Sequence, residues 1–240
     1  MSKFIHACLS KWLRPSELLT EAALQAMIAG GNVLEQDGRG YKVIQLGSGD
    51  ILKIFRVRHK LSGARIYSNA RKFARNAKRL EALGVNTVRI KQLYHIEHSS
   101  NTAVLYSPIV GSTLKKMLSD HLFNDDIASA LGGYVAKLHQ LGVHFRSLHM
   151  GNIVMTPEGS YGLIDISDMS IYRWPLFCNT RVRNFKHLTR YPEDIVRLGE
   201  AHWASFKNGY FVNSKLGAIC IRRLQNALNN MVDFDSLPRV

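Results

Sequence analysis

Between residues 32 and 57 three short apolar runs follow one another, NVLEQ, YKVIQL and ILKIFRV, separated only by DGRG and GSGD. Glycine beside Asp or Ser at such breaks is turn chemistry, because these residues accept the backbone angles of a tight reversal. The pattern predicts a three-strand antiparallel meander. Residues 67–83, YSNARKFARNAKRLEAL, then place Phe73, Ala77, Leu80 and Leu83 at helical spacing and stop at Gly84. Two more strand-like runs follow, VRIKQLYHI and TAVLYSPIV. From Gly111 the texture turns helical, in TLKKMLSDHL, DDIASALGGYVAKLHQLG and most of the chain beyond about residue 191. One hairpin interrupts it, HFRSLHMGNIVMT against SYGLIDISDM, with a turn at Pro157-Glu158-Gly159. Before the meander, SELLTEAALQAMIA (16–29) reads as one helix, capped by Ser16 and ended by Gly30-Gly31. This order predicts an α+β chain. It would comprise an N-terminal helical extension (1–29), a small antiparallel β lobe (30–110) and a larger, mostly helical lobe (111–240), with the break in SPIVGST near Ser107–Thr113.

Charge narrows the partners. Thirty-two Lys and Arg face 18 Asp and Glu, a formal charge of +14 over 240 residues. Such an excess suits anionic partners, among them nucleotides, phosphorylated sugars and anionic lipid headgroups. A solvated basic surface is the plainer alternative. No helix-turn-helix, zinc or aromatic RNA motif accompanies the charge, so nucleic acid is not expected. Cys8, Cys178 and Cys220 are sparse, far apart and without metal spacing, which fits a reducing compartment. No apolar run reaches the ~18 residues of a membrane span. Lys11 and Arg14 follow the first apolar stretch too soon for a signal peptide. Phe4, Ile5, Leu9, Trp12 and Leu13 would form the apolar side of a short basic helix, suited to an anionic membrane surface or to packing on the domain.

The chemistry concentrates in HFRSLHMGNIVM (144–155) and YGLIDISDM (161–169). This pair resembles the catalytic loop and metal-binding segment of the protein-kinase superfamily. The protein-kinase form is His-Arg-Asp-Leu-Lys-Pro-Glu-Asn. The small-molecule kinase form, His-Gly-Asp-Leu-His-x-Gly-Asn, matches Leu148, His149, Gly151 and Asn152 more closely. The resemblance implies a two-lobed protein-kinase-like fold binding ATP and Mg²⁺. Magnesium neutralises phosphate oxygens during phosphoryl transfer and takes one or two protein oxygens, here from Asn152 and Asp165. Asp168 would be a further ligand or a loop cap. Lys53 lies within ILKIF, pointing away from the face of Leu52 and Ile54. In a kinase-like lobe it would meet the nucleotide phosphates, and otherwise it is an outward lysine on a half-exposed strand. Gly38 and Gly40 stand where a phosphate-covering loop belongs, with Arg39 between them. Gly111-Ser112-Thr113-Leu114 resembles the post-hinge turn of aminoglycoside-kinase relatives. That would set Tyr106, Ser107 and the residues up to Val110 along the adenine.

HFRSLHMGNI, LIDISDM and RVRNFKHLTRY together are similar to the bacterial lipopolysaccharide-core (Kdo/heptose) kinase family, in its divergent toluene-tolerance-protein branch, over roughly residues 30–205. That resemblance implies a cytoplasmic protein, peripheral at the inner face of the inner membrane. Its partners would be lipopolysaccharide core or another anionic glycolipid, with core-assembly proteins beside it. The basic helix 65–79 and Arg181, Arg183, Lys186 and Arg190 would suit a phosphorylated acceptor. Two departures bear on activity. Ser147 stands where the catalytic Asp belongs, beside Arg146, and serine is no anionic base at neutral pH. Asn76 stands where a Glu should pair with Lys53, and Glu81 is the only acid in that helix. His144 or His149 would have to take the proton, although His149 can equally be a structural loop residue. The alternatives are an ATP-dependent sugar kinase and a pseudokinase that binds nucleotide or glycolipid as a scaffold.

Overall fold

The structure is a computed structural model that describes residues 16–56 and 69–236. The apolar N-terminal segment 4–13, Cys8, Arg65 and the closing LPRV lie outside the described residues. The architecture is mixed α and β, and the chain divides into two compact units, Met1–Ile109 and Val110–Val240.

The first unit is organised on a six-stranded sheet. Its strands are β1 (Glu17–Leu19), β2 (Asn32–Asp37), β3 (Gly40–Gln45), β4 (Ile51–Phe55), β6 (Arg89–Ile96) and β7 (Thr102–Ser107), in spatial order β1-β6-β7-β4-β3-β2. Helix α1 (Glu21–Ala29) precedes β2, and α2 (Asn69–Ala82) is followed by the short β5 (Asn86–Thr87). The meander β2–β3–β4 is antiparallel, as its turn chemistry requires. The stretch 16–29 is not one helix. Glu17–Leu19 pairs in parallel with Tyr94–Ile96 of β6, and Thr20, not Ser16, caps α1 by accepting from the Ala23 N–H at 3.3 Å. Non-local pairing overrides helix propensity here, because it places Leu19 in the core.

That core gathers Leu19, Leu24, Ile44, Leu52, Ile54, Ile96 and Ala103 on one face of the sheet. Each fully buried Leu or Ile of this set stabilises by roughly 1.5–3 kcal/mol. The alternation along β4 sends Lys53 to the opposite face from Leu52 and Ile54. There α2 buries Ala70, Phe73, Ala74, Asn76, Ala77 and Leu80. Strand β4 is therefore covered on both faces.

The second unit comprises β8 (Ser112–Thr113), α3 (Leu114–Ser119), α4 (Asp125–Gln140), β9 (Val143–Phe145), a 3₁₀ turn (Met150–Asn152), β10 (Ile153–Met155), β11 (Tyr161–Leu163), β12 (Met169–Ile171), α5 (Cys178–Leu188), α6 (Pro192–Asn213) and α7 (Ala218–Asn229). Asn124 caps α4 through the Ile127 N–H at 2.9 Å, and Asp125 and Asp126 sit in its first turn, where the helix dipole favours negative charge. Helices α4 and α6 approach backbone to backbone. A Cβ on Gly132 would lie 2.1 Å from the Phe206 carbonyl oxygen, and one on Gly209 would lie 2.0 Å from that of Ser129. Both glycines inside helices thus mark a packing contact. Helix α6 is broken at Gly199, whose φ is 75°.

A buried polar network joins these helices. On α4, His139 meets the Tyr210 hydroxyl at 2.9 Å and Asn184 Oδ1 at 3.1 Å. Asn184 Nδ2 in turn donates to the Phe145 carbonyl at 2.6 Å. Arg181 is buried and donates to the Leu176 carbonyl at 2.8 Å and to the Tyr210 hydroxyl at 3.1 Å. It is therefore not part of a basic surface. Its place in the RVRNF run concealed this, because nothing in the run distinguishes the arginine that faces inward from the one that does not. Cys178 and Cys220 pair as a disulfide with their Cα atoms 5.9 Å apart. They stand 42 residues apart in sequence, so the sparse count that suggested a reducing compartment carried no sign of the pairing. Among the described residues no helix is long and apolar enough to cross a membrane.

Candidate functional site

In the first unit, Lys53 is 8% exposed, on a central strand between β3 and β7. Its ammonium lies 5.7 Å from the Phe55 ring centroid and 5.8 Å from that of Phe73. Aromatic faces attract such a cation and help offset its lost hydration. The same side carries Tyr106, whose ring is 5.3 Å from that of Phe73. Asn76, one helical turn beyond Phe73, is 1% exposed, whereas Glu81 is exposed. Ser107 turns elsewhere. Its hydroxyl donates at 2.9 Å to Asp50, which also accepts from Ser48 and from Lys91. The Lys91 ammonium is the first of the donors that hold the Asp50 carboxyl below its ordinary value. Sequence reasoning passed over Asp50 as ordinary turn material.

The β2–β3 turn closes on itself. Asp37 accepts from the Arg39 backbone N–H at 2.8 Å and from Arg56 at 2.6 Å. Both bonds favour the charged carboxylate, the backbone one most. Gly40 has φ 107°, which the reversal needs, and open space surrounds Gly38. The Arg39 N–H, a natural phosphate donor in such a loop, is thus already bonded to a carboxylate.

In the second unit, hairpin register does the positioning. Ile153 pairs with Leu163, and Ile164 N–H donates to the Asn152 carbonyl at 3.0 Å. Asn152 and Asp165 therefore emerge at the same end of the β10–β11 hairpin. Asn152 Nδ2 donates to the Ser147 carbonyl at 2.9 Å and lies 3.0 Å from His149 Nε2. A carbonyl can only accept, so the first bond fixes which amide atom is nitrogen. Asn152 Oδ1 then has no hydrogen-bond partner among the described residues. Asp165 is exposed, with φ 50°. That left-handed conformation costs a residue with a Cβ on the order of 1–2 kcal/mol, and Asp tolerates it better than most. Two oxygen donors of this kind fit magnesium, which keeps its other positions for phosphate and water.

The remaining loop residues are held by neighbours. Arg146 forms an ion pair with Asp168, and its backbone N–H donates to the Asp168 carbonyl at 3.0 Å. This pairing brings β9 against β12 and makes Asp168 a loop anchor. Ser147 is half-buried, its carbonyl held by Asn152. His149 caps the 3₁₀ turn, with Nδ1 3.2 Å from the Gly151 N–H. With Nδ1 accepting from the Gly151 N–H, the neutral ring carries its proton on Nε2, and His149 has a structural placement. Burial is the main cause pushing its pKa down, as it is for His144 and His187, whose rings lie 6.3 Å apart. Gly111, φ 148°, lets β8 approach β10, since a Cβ there would fall 2.2 Å from the Met155 carbonyl oxygen.

Three residues beside this loop escaped the sequence reading. Tyr191 packs edge-on against His149, centroids 5.0 Å apart. Lys115 lies 5.5 Å from the Tyr191 ring and 3.6 Å from Asp194 Oδ1. Asp194 is 1% exposed, neither of its carboxylate oxygens has a hydrogen bond among the described residues, and burial raises its pKa. The Tyr191-Pro192 helix start was visible in sequence. That it packs against the loop at 147–152, some forty residues earlier, was not. No family model matches the chain, and no curated protein matches it significantly.

Proposed function

We propose that the protein is an ATP-dependent phosphotransferase that phosphorylates a sugar hydroxyl of lipopolysaccharide core, built on a protein-kinase-like fold. The observation that carries this reading is the placement of Asn152 and Asp165 at one end of the β10–β11 hairpin, with the Asn152 amide nitrogen held by the Ser147 carbonyl and its oxygen left over. A structural asparagine would spend both ends of its amide within the loop. The magnesium, held by Asn152 and Asp165, would supply charge neutralisation at the phosphates. A buried lysine on the third strand of the meander, followed by a helix, adds support from the first unit. Arg183 and Lys186, exposed on α5, and Arg190, exposed just beyond its end, would receive the anionic acceptor. The acceptor class rests on the resemblance alone.

Ser147 favours a second reading, a pseudokinase that binds nucleotide or glycolipid as a scaffold for core assembly. The residue that the resemblance sets in the place of the catalytic acid carries no charge, and Asn76 stands where the resemblance sets an acid beside Lys53. The two readings separate in one experiment. Mg-ATP binding and ATP consumption are measured with purified lipopolysaccharide core for the wild type, Asp165→Ala and Ser147→Asp. Turnover that disappears in Asp165→Ala identifies an enzyme. Binding without turnover, with activity gained in Ser147→Asp, identifies the pseudokinase. Absence of Mg-ATP binding would remove both.

A further inference from the structure

Four large apolar side chains of the second unit are exposed around the start of two helices. Tyr172, Trp174 and Phe177 lie on the segment leading into α5, and Ile219 lies in the first turn of α7. Trp174 is 52% exposed, Phe177 71% and Ile219 79%. They form one neighbourhood. Phe177 precedes Cys178 and Ile219 precedes Cys220, and those two Cα atoms are 5.9 Å apart. The Tyr172 and Trp174 rings stack at 6.0 Å. Leu176, between Trp174 and Phe177, is buried and its carbonyl accepts from Arg181, so the segment is anchored while its larger side chains face out. Exposed aromatics on an anchored segment are costly in water unless something covers them.

The surrounding charge says what that is. Residues 169–232 contain ten Lys and Arg and only three acids, Glu193, Asp194 and Glu200. Arg173 is exposed between Tyr172 and Trp174, Arg222 and Arg223 are exposed on α7 one turn beyond Ile219, and Arg183 and Lys186 are exposed further along α5. Exposed Trp, Tyr and Phe in a segment rich in exposed Arg and Lys match the interface of an anionic bilayer, where aromatic rings sit at headgroup depth and cations meet lipid phosphates. We propose that Tyr172, Trp174, Phe177 and Ile219 form a docking face for an anionic lipid bilayer. The face does not depend on nucleotide chemistry, so its test stands apart from the phosphotransfer reading.

The full-length protein is sedimented, without nucleotide, with phosphatidylcholine vesicles with and without phosphatidylglycerol. Binding to the anionic vesicles that weakens with salt is expected, with little binding to the neutral ones. Trp174→Ala/Phe177→Ala removes most of the inserted apolar surface and should weaken binding tenfold or more. Ile219→Ser should weaken it less, and Arg183→Glu/Lys186→Glu should flatten the salt dependence. All these positions are exposed, so unchanged thermal unfolding is expected and is checked for each variant. Failure to bind anionic vesicles would overturn the proposal. So would a double variant that binds as the wild type does, which would place the contact elsewhere, for instance in the apolar segment 4–13. Equal retention by a soluble polyanion, insensitive to the double variant, would also overturn it.

Discussion

Replacing His139 by glutamine should change how the protein answers to acid. His139 is fully buried on α4, and burial, with Arg181 nearby, pushes its pKa down to about 3. In the unfolded chain an imidazole titrates near ~6.5. Above that value both states are neutral and the group adds no pH dependence. Between about 6.5 and 3 the unfolded state takes up a proton that the folded state refuses. Stability is therefore complete above the unfolded pKa and is lost as pH falls, by up to a factor of ten in the folding equilibrium per pH unit. At pH 5 the loss from this one residue is roughly 2 kcal/mol. His144, His149 and His187 are shifted the same way and add to the total. His139→Gln isolates the term, because glutamine does not titrate. Urea unfolding followed by far-UV circular dichroism at pH 7.5 and 5.0 gives the comparison. The variant should be less stable at pH 7.5, since it loses packing against Phe185 and Tyr210. Between the two pH values it should lose roughly 2 kcal/mol less than the wild type. Equal losses in the two proteins, or a His139 resonance titrating near the ordinary histidine value, would refute the reasoning.

Gly132→Ala should lower stability by about 1–3 kcal/mol in thermal unfolding, because its Cβ meets backbone that cannot move aside. Thr20→Ala should cost about 1 kcal/mol through loss of the α1 cap, and Ser16→Ala should cost far less. Arg181→Met should destabilise by about 2 kcal/mol or more, since it leaves the Leu176 carbonyl and Tyr210 hydroxyl without a buried donor. Lys53→Met should leave chemical stability little changed while weakening nucleotide binding in a fluorescent-ATP titration.

The parts of the molecule that could be read from sequence are those set by local chemistry. DGRG and GSGD specify turns wherever they occur, and the alternation Leu52-Lys53-Ile54 sends the lysine to its own face on any strand. The sequence did not reveal that α2 would cover that face and turn a strand lysine into a buried one. The hairpin register that sets Asn152 opposite Ile164, next to Asp165, follows from the short turn at residues 157–159. Features that depend on distant partners stayed hidden. Glu17–Leu19 looks helical until β6 offers it a parallel neighbour. Gly132 and Gly209 look like helix weaknesses until the two backbones meet. Arg181 is indistinguishable from Arg183 in a basic run, and only the Leu176 carbonyl and Tyr210 hydroxyl give it reason to turn inward. Asp194 reads as a first-turn acid, and its burial beside Lys115 is a matter of tertiary packing.

The central claim is that Asn152 and Asp165 hold a metal–nucleotide complex. Calorimetric titration of the full-length protein with ATP, with and without magnesium, tests it most directly. The account predicts magnesium-dependent binding in the wild type that falls at least tenfold in Asp165→Ala and in Asn152→Ala, with both variants folded. Absence of binding in the wild type, or affinity unchanged by magnesium and by both substitutions, would contradict it.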